Sequence, residues 1–312
     1  MQTDFSRQIK EKALEIGFSA CGITDAGSLS SEQETSFMDY LERGFHADMR
    51  YLQRNTDKRM HPQLLVEGAQ SIIVVLLNYH HPEYHENRKS SYIVSEYALG
   101  EDYHLVMKDK LSLLIDFIAE HQPKAVNCGF SDTHPVLEKH LACKAGLGTI
   151  GKNTLLLTSK GSYYFIGEIF TTLLLDYDAP LSDNPCLHCE RCLKACPTQA
   201  LRQPYRLNAN KCISYHTIEN KNDISLEIVS VMGKHIYGCD RCQQVCPCNQ
   251  GRSSTKVKEF SPKTAFMEWE DAHWENLDET EFEHTFSDTV LFRVGYRRFK
   301  QILSLAKDNP SF

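Results

Sequence analysis

Two short runs of cysteine carry the strongest chemical signal in this sequence of 312 residues. Residues 186 to 197 read CLHCERCLKACP, a C-x2-C-x2-C-x3-C-P spacing. Residues 239 to 247 read CDRCQQVCP, the same run without its first cysteine, whose place at 236 is held by isoleucine. Thiolates at these intervals converge on metal, and the terminal Cys-Pro marks the bacterial ferredoxin run, in which three cysteines hold one iron-sulfur cluster and the fourth ligates its neighbour. Cys212, in NKCISYH between the runs, supplies the thiolate that the second run lacks. Crossing the ligands gives Cys186, Cys189, Cys192 and Cys246 for one 4Fe-4S cluster, and Cys239, Cys242, Cys212 and Cys196 for the other. A pair of all-cysteine zinc knuckles uses the same C-x2-C spacing and stays open as an alternative. Cys248 is left as a packing thiol. Two clusters with crossed ligands lie close together and form an electron wire, so the rest of the chain must bind whatever the wire serves.

A second stretch with chemical spacing is AGLGTIGKN, residues 145 to 153. Gly146, Gly148 and Gly151 form a G-x-G-x-x-G, and Gly146 to Lys152 form a G-x-x-x-x-G-K with Asn153 where a P-loop needs a hydroxyl. A dinucleotide site needs a strand before the glycines and a helix after them, so that a pyrophosphate meets the helix N-terminus. Here a helical pattern precedes and a strand pattern comes after, and both nucleotide readings fail. What remains is a glycine-rich turn from helix to strand, or a place where backbone approaches some other flat or anionic ligand.

The elements that must position these groups are legible in the hydrophobic pattern. Phe5 to Ile16 has apolar residues at helical spacing and stops at Gly17, and Phe18 to Thr24 reads as a short strand. Ser36 to Arg43 is again helical. Ala69 to Leu77 is apolar on both faces and suits a central buried strand. A helix is expected over 101–121, a strand over 124–128, and a helix that starts at Pro135 and runs to Ala145. Strands come next at 154–158 and 163–175. From Asp178 prolines, asparagines and cysteines replace the apolar runs, and the tail from Phe260 to Ala306 looks like short amphipathic helices. The expected fold is α/β in the α+β sense: an α/β domain over 1–178, a ferredoxin-like two-cluster module over 179–251 and a helical tail over 252–312. Hydrophobic residues at 41% and charged ones at 24% are ordinary for a soluble globular protein. The polar opening MQTDFSRQIK carries no secretory signal, and the longest apolar run, Ile72 to Leu77, is far short of the ~20 residues of a membrane span. A cytoplasmic monomer with no membrane contact is expected. The net charge of −7 excludes a general polyanion binder, whose affinity would come from Lys and Arg displacing counterions.

Residues 132 to 157, DTHPVLEKHLACKAGLGTIGKNTLLL, together with the two cysteine runs after them, resemble the epoxyqueuosine reductases. The resemblance extends to GFHADMRYL at 44–52, Lys58-Arg59, GEDYH at 100–104 and YGCDRCQQVCP at 237–247, and so covers nearly the whole chain. It implies a cobalamin-dependent and iron-sulfur-dependent enzyme that performs the last step of queuosine synthesis on tRNA. Carried over residue by residue, Asp132 is the acid beside the cobalt and Arg59 contacts the corrinoid. The AGLGTIGKN loop, Asn153 included, lets backbone approach the corrin. Leu156 and Ile166 form apolar wall, and Ser214 and Asp240 reach the ring from the cluster module. The histidine-ligated cobalamin motif D-x-H-x-x-G begins at Asp102-Tyr103-His104 and at Asp132-Thr133-His134, but neither continues to the glycine; the family implies a corrinoid without a histidine ligand. His104 and His134 read as structural. His134 stands where family members commonly carry a small residue. Longer members append a C-terminal helical-repeat region, and this chain ends at Phe312 without one.

The reaction so implied removes an epoxide oxygen to leave an alkene, with two electrons and two protons. Electrons come from an external low-potential donor through the clusters to cobalt, and Asp132 protonates the departing oxygen. An ordinary aspartate titrates near ~3.9, so burial beneath the corrin is expected to raise it. The tRNA partner is expected on a confined basic surface that includes Arg252, Lys256, Lys258, Arg297, Arg298 and Lys300. The alternatives are a corrinoid reductive dehalogenase, a ferredoxin-type electron-transfer protein and a zinc-dependent RNA-binding protein. Metal analysis separates them. Anaerobically prepared protein should carry about eight irons, Cys212→Ser should lose a cluster, and Cys248→Ser should keep the full iron content. Stoichiometric zinc without iron would contradict the cluster reading.

Overall fold

The apolar run after residue 70 becomes the strand on which the first half of the chain is assembled. A computed structural model describes residues 2–309. In chain order the first half contains α1 (Gln2–Ile16), β1 (Ala20–Asp25), α2 (Ser31–Glu42), α3 (Thr56–Met60), β2 (Ser71–Asn78), α4 (Glu83–Asn87) and β3 (Ile93–Val94). It continues with α5 (Tyr103–His121), β4 (Asn127–Phe130), α6 (Glu138–Lys144), β5 (Thr149–Ile150), β6 (Leu156–Leu157) and β7 (Tyr164–Thr171). β1, β2, β7 and β4 form one sheet in that order, and every pair in it is antiparallel. The two inner strands, β2 and β7, are buried on both faces because helices cover the sheet on each side. On one face α1 and α5 lay Ile9, Ala13, Met107, Leu111, Leu114 and Ile118 against Ile73, Val75 and Leu77. On the other face α6 lays Leu141 and Ala142 against Ile72, Val74, Leu76 and Phe170. Each Val, Leu, Ile, Met or Phe side chain so removed from water contributes about 1.5–3 kcal/mol, so the sheet is a firm platform for the loops at its ends.

One expected helix boundary moves, and the shift bears on the chemistry. The helix expected from Pro135 begins at Glu138 instead, with Leu137 at its N-cap and no side-chain cap. Pro135 lies in a turn closed by the Val136 N–H donating to the His134 carbonyl at 2.8 Å. Asp132 is six positions ahead of the helix and caps nothing.

The glycines of AGLGTIGKN also find their reason here. After α6 the chain turns at Gly146, whose φ is +72°, a conformation open to glycine at little cost. A methyl group on Gly146 would sit 2.6 Å from the Ala179 carbonyl oxygen. One on Gly148 would sit 2.5 Å from the Leu157 carbonyl oxygen, and one on Gly151 2.7 Å from a Leu157 methyl. The close approach is made by the protein's own chain, as β5 pairs with β6. The turn from helix to strand by itself accounts for the three glycines, because each is pressed against the protein's own chain.

The cysteine-bearing segment contains α7 (Arg191–Ala195), α8 (Ile213–Ile218), α9 (Leu226–Met232), β8 (His235–Tyr237) and α10 (Arg241–Gln244). The tail adds α11 (Thr264–Glu268), α12 (Asp271–Asn276), α13 (Glu279–Phe286), a 3-10 turn over Val290–Val294 and α14 (Tyr296–Lys307). The tail does not pack by itself. Trp274, Phe282, Phe286 and Phe299 share one core with Tyr84, Tyr92 and Val94 from the first half and with Ile213, Ile236 and Tyr237 from the cluster segment. β3 pairs in parallel with β8, so main-chain hydrogen bonds tie the same segments. Packing thus runs across the changes of sequence texture at 178 and 251. No helix among the described residues is long and apolar enough to cross a membrane.

Gly100 marks where the tail is pressed onto the first half. A methyl there would stand 2.5 Å from the Glu259 carbonyl oxygen, which also accepts the Glu101 N–H at 2.8 Å. Gly100→Ala should therefore cost about 1–3 kcal/mol, the usual range for overpacking, read as a lowered urea midpoint with an unchanged slope. An unaltered midpoint would mean that the tail is free to move aside.

Candidate active site

The loop between β4 and α6 brings Asp132 to the junction of two clefts. One has a volume of about 720 Å³ and is lined by Tyr51, Arg59, Val136, Leu137, Glu138 and Leu207 among others. The second, of about 450 Å³, is lined by Tyr103, His104, Ser214, Tyr237 and Arg293; Asp132, Leu207 and Glu219 belong to both. Asp132 has a φ of +59°, a left-handed conformation that aspartate tolerates better than most residues. Its N–H donates to the Glu138 carboxylate. Its Oδ2 accepts the Tyr103 hydroxyl at 2.7 Å and faces His104 Nε2 at 3.2 Å. His104 Nδ1 lies 2.6 Å from Asp102 Oδ1, and Asp102 Oδ2 accepts from Arg293 Nη2 at 2.9 Å and from Nε at 3.2 Å.

These contacts decide the protonation of the loop. Desolvation within the cleft pushes the Asp132 pKa up, but hydrogen bonds from His104 and Tyr103 outweigh it and hold the carboxyl below the usual range. His104 shows the complementary behaviour: burial opposes its charge, yet Asp102 and then Asp132 outweigh burial and raise its pKa above 6.5. The histidine expected to be structural is joined to the acid.

Beneath the loop lie two further carboxyls. Glu168, on β7 opposite Val74 and Phe130, is wholly buried, and neither of its oxygens has a hydrogen-bond partner among the described residues. Burial pushes its pKa far up, with Glu138 and Asp132 adding to the shift. Glu138 is pushed up to about 8, first by burial and then by the charge of Asp132. An ionised carboxylate without partners in an apolar core is too costly to persist, so Glu168 holds its proton at neutral pH, and burial favours the protonated form of Glu138 even though it accepts the Asp132 N–H.

The other expected cofactor residues separate into three places. Arg59 lines the larger cleft, as expected for a ligand-binding residue. It is only 7% exposed, donates through Nη2 to the Tyr51 carbonyl at 3.1 Å, and leaves its Nε–H buried without a partner among the described residues. Asn153, Ser214 and Asp240 meet around a third cavity of about 260 Å³, which also holds Cys196, Cys212, Cys239 and Cys242. Asn153 leaves its amide nitrogen buried and unmatched, whereas the Asp240 carboxylate turns away, accepting from the Ser95 hydroxyl and, at 2.7 Å, from the Glu96 N–H. Leu156 and Ile166, expected as a wall against a ring, pack instead in the sheet core with Val74 and Phe170, because their positions on β6 and β7 point under α6. Of the expected basic surface, Arg252, Lys256, Lys258 and Arg297 are exposed. Arg298 is half-buried against the His216 carbonyl, and Lys300 donates to the Glu275 carbonyl at 2.6 Å.

The cysteines gather in two neighbourhoods. Burial first and then the nearby thiolates of Cys246 and Cys189 raise Cys186, and Cys192 responds to Cys186, Cys246 and Cys189. Likewise Cys239 responds to Cys212 and Cys196, and Cys242 to Cys239 and Cys212. Cys242 also responds to Cys192, which places the two neighbourhoods side by side. Around a single tetrahedral zinc the sulfurs would lie about 3.8 Å apart, given a Zn–S length of ~2.3 Å. Among the described residues the only three donors within 4.8 Å of one another are His85, Glu96 and Asp240. The cysteine quartets are more open than one ion needs, which suits a larger cluster.

Fold and site together define a redox protein in which a double iron-sulfur module abuts a two-lobed cleft in an α+β domain. The comparisons with known proteins agree. The family described as "Epoxyqueuosine reductase QueG, DUF1730" matches residues 59–133, and the "4Fe-4S double cluster binding domain" matches residues 185–249. An epoxyqueuosine reductase of Cellulophaga algicola is 39% identical over 96% of this chain and 97% of its own. The crystal structure of an epoxyqueuosine reductase with an epoxyqueuosine-modified tRNA-Tyr stem loop superposes with a TM-score of 0.89 at 28% identity, over 97% of this chain and 80% of that one. A Bacillus subtilis epoxyqueuosine reductase, with its catalytic aspartate loop swung out of the active site, superposes at 0.88 and 28% identity, over 97% of this chain and 81% of that one. The chain belongs to the epoxyqueuosine reductase family.

Sequence reasoning missed Asp102, Tyr103, Glu138, Glu168 and Arg293. GEDYH held the signal for the first two, since aspartate ahead of a long amphipathic pattern is an N-cap that fixes the first turn of the helix. Glu168 could have been suspected as a charge inside a β-branched strand. The buried carboxyls also give a measurable pH dependence. Acids whose folded pKa lies above the ordinary 4.5 favour folding fully below that value and lose the contribution as pH rises towards 8, at about 1.4 kcal/mol per pH unit for each retained proton. Glu168→Gln should flatten this decline between pH 5 and 8 in denaturant titrations. A decline as steep as wild type would place the retained protons elsewhere.

Proposed function

We propose that this protein reduces epoxyqueuosine to queuosine in tRNA, with cobalamin and two 4Fe-4S clusters as cofactors. The observation that carries the reading is the position of Asp132, presented at the junction of a two-lobed cleft that shares Ser214 and Cys212 with the cavity of the second cysteine quartet. A large ligand in one lobe and a nucleoside in the other would meet at this carboxyl. Family membership supports the substrate, as does the likeness to a structure that holds an epoxyqueuosine-modified stem loop. The catalytic aspartate loop of the B. subtilis neighbour supports the reading of the Asp132 loop.

Arg59 and the cleft residues Tyr51, Val136, Leu137 and Leu207 would hold the corrinoid, and the unmatched Arg59 Nε–H offers it a buried donor. When bound, a corrinoid supplies a strongly reducing, nucleophilic metal centre suited to opening an epoxide. Cys186, Cys189, Cys192 and Cys246 would hold one cluster, and Cys196, Cys212, Cys239 and Cys242 the other, with reducing equivalents from an external low-potential donor. The epoxide oxygen leaves as water, taking up two protons and two electrons. Asp132 is the group placed to hold a proton against that oxygen. Of the basic residues expected to meet tRNA phosphates, Arg252, Lys256, Lys258 and Arg297 are exposed, while Arg298 and Lys300 are largely engaged within the fold.

Asp132→Asn keeps the side-chain size and the left-handed backbone preference while removing the transferable proton. Iron content and corrinoid binding should be retained, and turnover of epoxyqueuosine-containing tRNA should fall by roughly a hundred- to ten-thousand-fold, the usual worth of a placed general acid. Turnover near the wild-type rate would refute the assignment of Asp132.

A further inference from the structure

The reaction consumes two protons, and Asp132 offers one carboxyl that its neighbours hold in the ionised form. A second group in contact with that carboxylate would store the proton, and Glu138 is not that group because it meets Asp132 through the main-chain N–H. Among the described residues, His104 is the nitrogen base that touches the Asp132 carboxylate, at 3.2 Å. It is 12% exposed and stacks on the Tyr103 ring at 4.0 Å, so its orientation is fixed. Its other nitrogen faces Asp102 Oδ1 at 2.6 Å, and the same oxygen accepts the His104 backbone N–H at 3.0 Å. Asp102 is fixed in turn by Arg293. Segments far apart in sequence thus give an alternation of charge: Arg293, Asp102, His104 and Asp132.

We infer that Asp102, His104 and Asp132 form a proton relay in which His104 stores the proton that Asp132 delivers, with Arg293 tuning it from the tail. The inference rests on the reading of Asp132 as the proton donor. In the relay step the Nε2–H bond of the imidazolium breaks as an O–H bond forms on the Asp132 carboxylate. The proton that Asp132 gives up goes to the departing oxygen. The neutral imidazole then takes a proton from water in the smaller lobe, and no electron moves. With Nδ1–H held on Asp102, the neutral ring carries its lone pair on Nε2, where Arg293 Nη1 stands 3.4 Å away as a donor. Arg293 therefore favours the discharged state directly while it steadies Asp102, which favours the charged one. His104 is a positioning and storage residue in this scheme, since it meets the substrate only through Asp132.

The groups facing His104 are Asp102 and Tyr103 at the start of α5, Asp132 from the loop and Arg293 from the 3-10 turn, with Tyr215, Glu219, Lys221 and Tyr237 lining the same lobe. The two changes that matter have opposite signs. Asp102→Asn keeps the helix cap but removes the stabilising anion, so the His104 pKa should fall by about one unit or more. Arg293→Ala removes a nearby cation, so it should rise. Both are read in holoenzyme by NMR titration of 15N-labelled histidine, with the His104 resonance assigned by its loss in His104→Gln.

The alkaline limb of the single-turnover rate with epoxyqueuosine-containing tRNA should move in the same two directions. His104→Gln should lose that limb and slow turnover by about tenfold or more, with KM for tRNA unchanged. If Asp132→Asn is slow but Asp102→Asn and Arg293→Ala leave both the His104 titration and the alkaline limb in place, the relay is overturned while Asp132 keeps its role. If Asp132→Asn turns over at the wild-type rate, the assignment of Asp132 is what fails.

Discussion

Asp132 can occupy a left-handed backbone conformation at the mouth of two clefts only because it is gripped from both sides. Its N–H is taken by Glu138, and its carboxylate receives Tyr103 and faces His104. A non-glycine residue at positive φ stores strain that its surroundings must offset. Here the offset comes from α5, which brings Tyr103 and His104, and from α6, which brings Glu138. Those helices are in turn seated on opposite faces of the sheet. The sheet therefore matters to the chemistry as the spacer that sets the distance between two helix N-termini.

The same logic reaches the far end of the chain. Arg293 meets Asp102 because the 3-10 turn that carries it is clamped by Leu291 and Val294 in the aromatic core built from Trp274, Phe282, Phe286 and Phe299. That core also holds Tyr84, Tyr92 and Val94, which belong to the first half of the chain. Gly100 completes the clamp by letting main chain of the tail lie against main chain of the first half. A polar contact at 2.9 Å between residues 102 and 293 is thus guaranteed by apolar packing some distance away.

The cysteine ligand sets were legible because metal chemistry constrains spacing in the chain itself, and the strand at 71–78 was legible because burial on both faces leaves an uninterrupted apolar run. Asp132 and Arg59 were reached only through family resemblance, since one aspartate and one arginine have no local pattern. What could not be read was the environment. The sign of the Asp132 shift depends on two donors from α5, which meet it only after the sheet is formed. The purpose of Gly146, Gly148 and Gly151 depends on Ala179 and Leu157, which no motif mentions. The packing of Leu156 and Ile166 in the sheet core could not be read either, because an apolar residue has the same letter whether it backs a core or faces a ligand. Pro135 misled about where α6 starts because a proline suits a turn as well as the first position of a helix.

The contribution of Arg293 also has a consequence for synthesis. A chain emerging from the ribosome presents the sheet, the Asp132 loop, His104 and all of the cysteines before Arg293 has been added. In that interval Asp102 lacks its cation, and Phe299, which closes the aromatic core of the tail, is still missing. The smaller lobe is completed by the same residues that tune its proton chemistry, since Val290, Arg293 and Val294 are part of its wall. A nascent chain that stops short of the tail lacks both that wall and the last charge in the row, so full reactivity is reserved for the finished polypeptide.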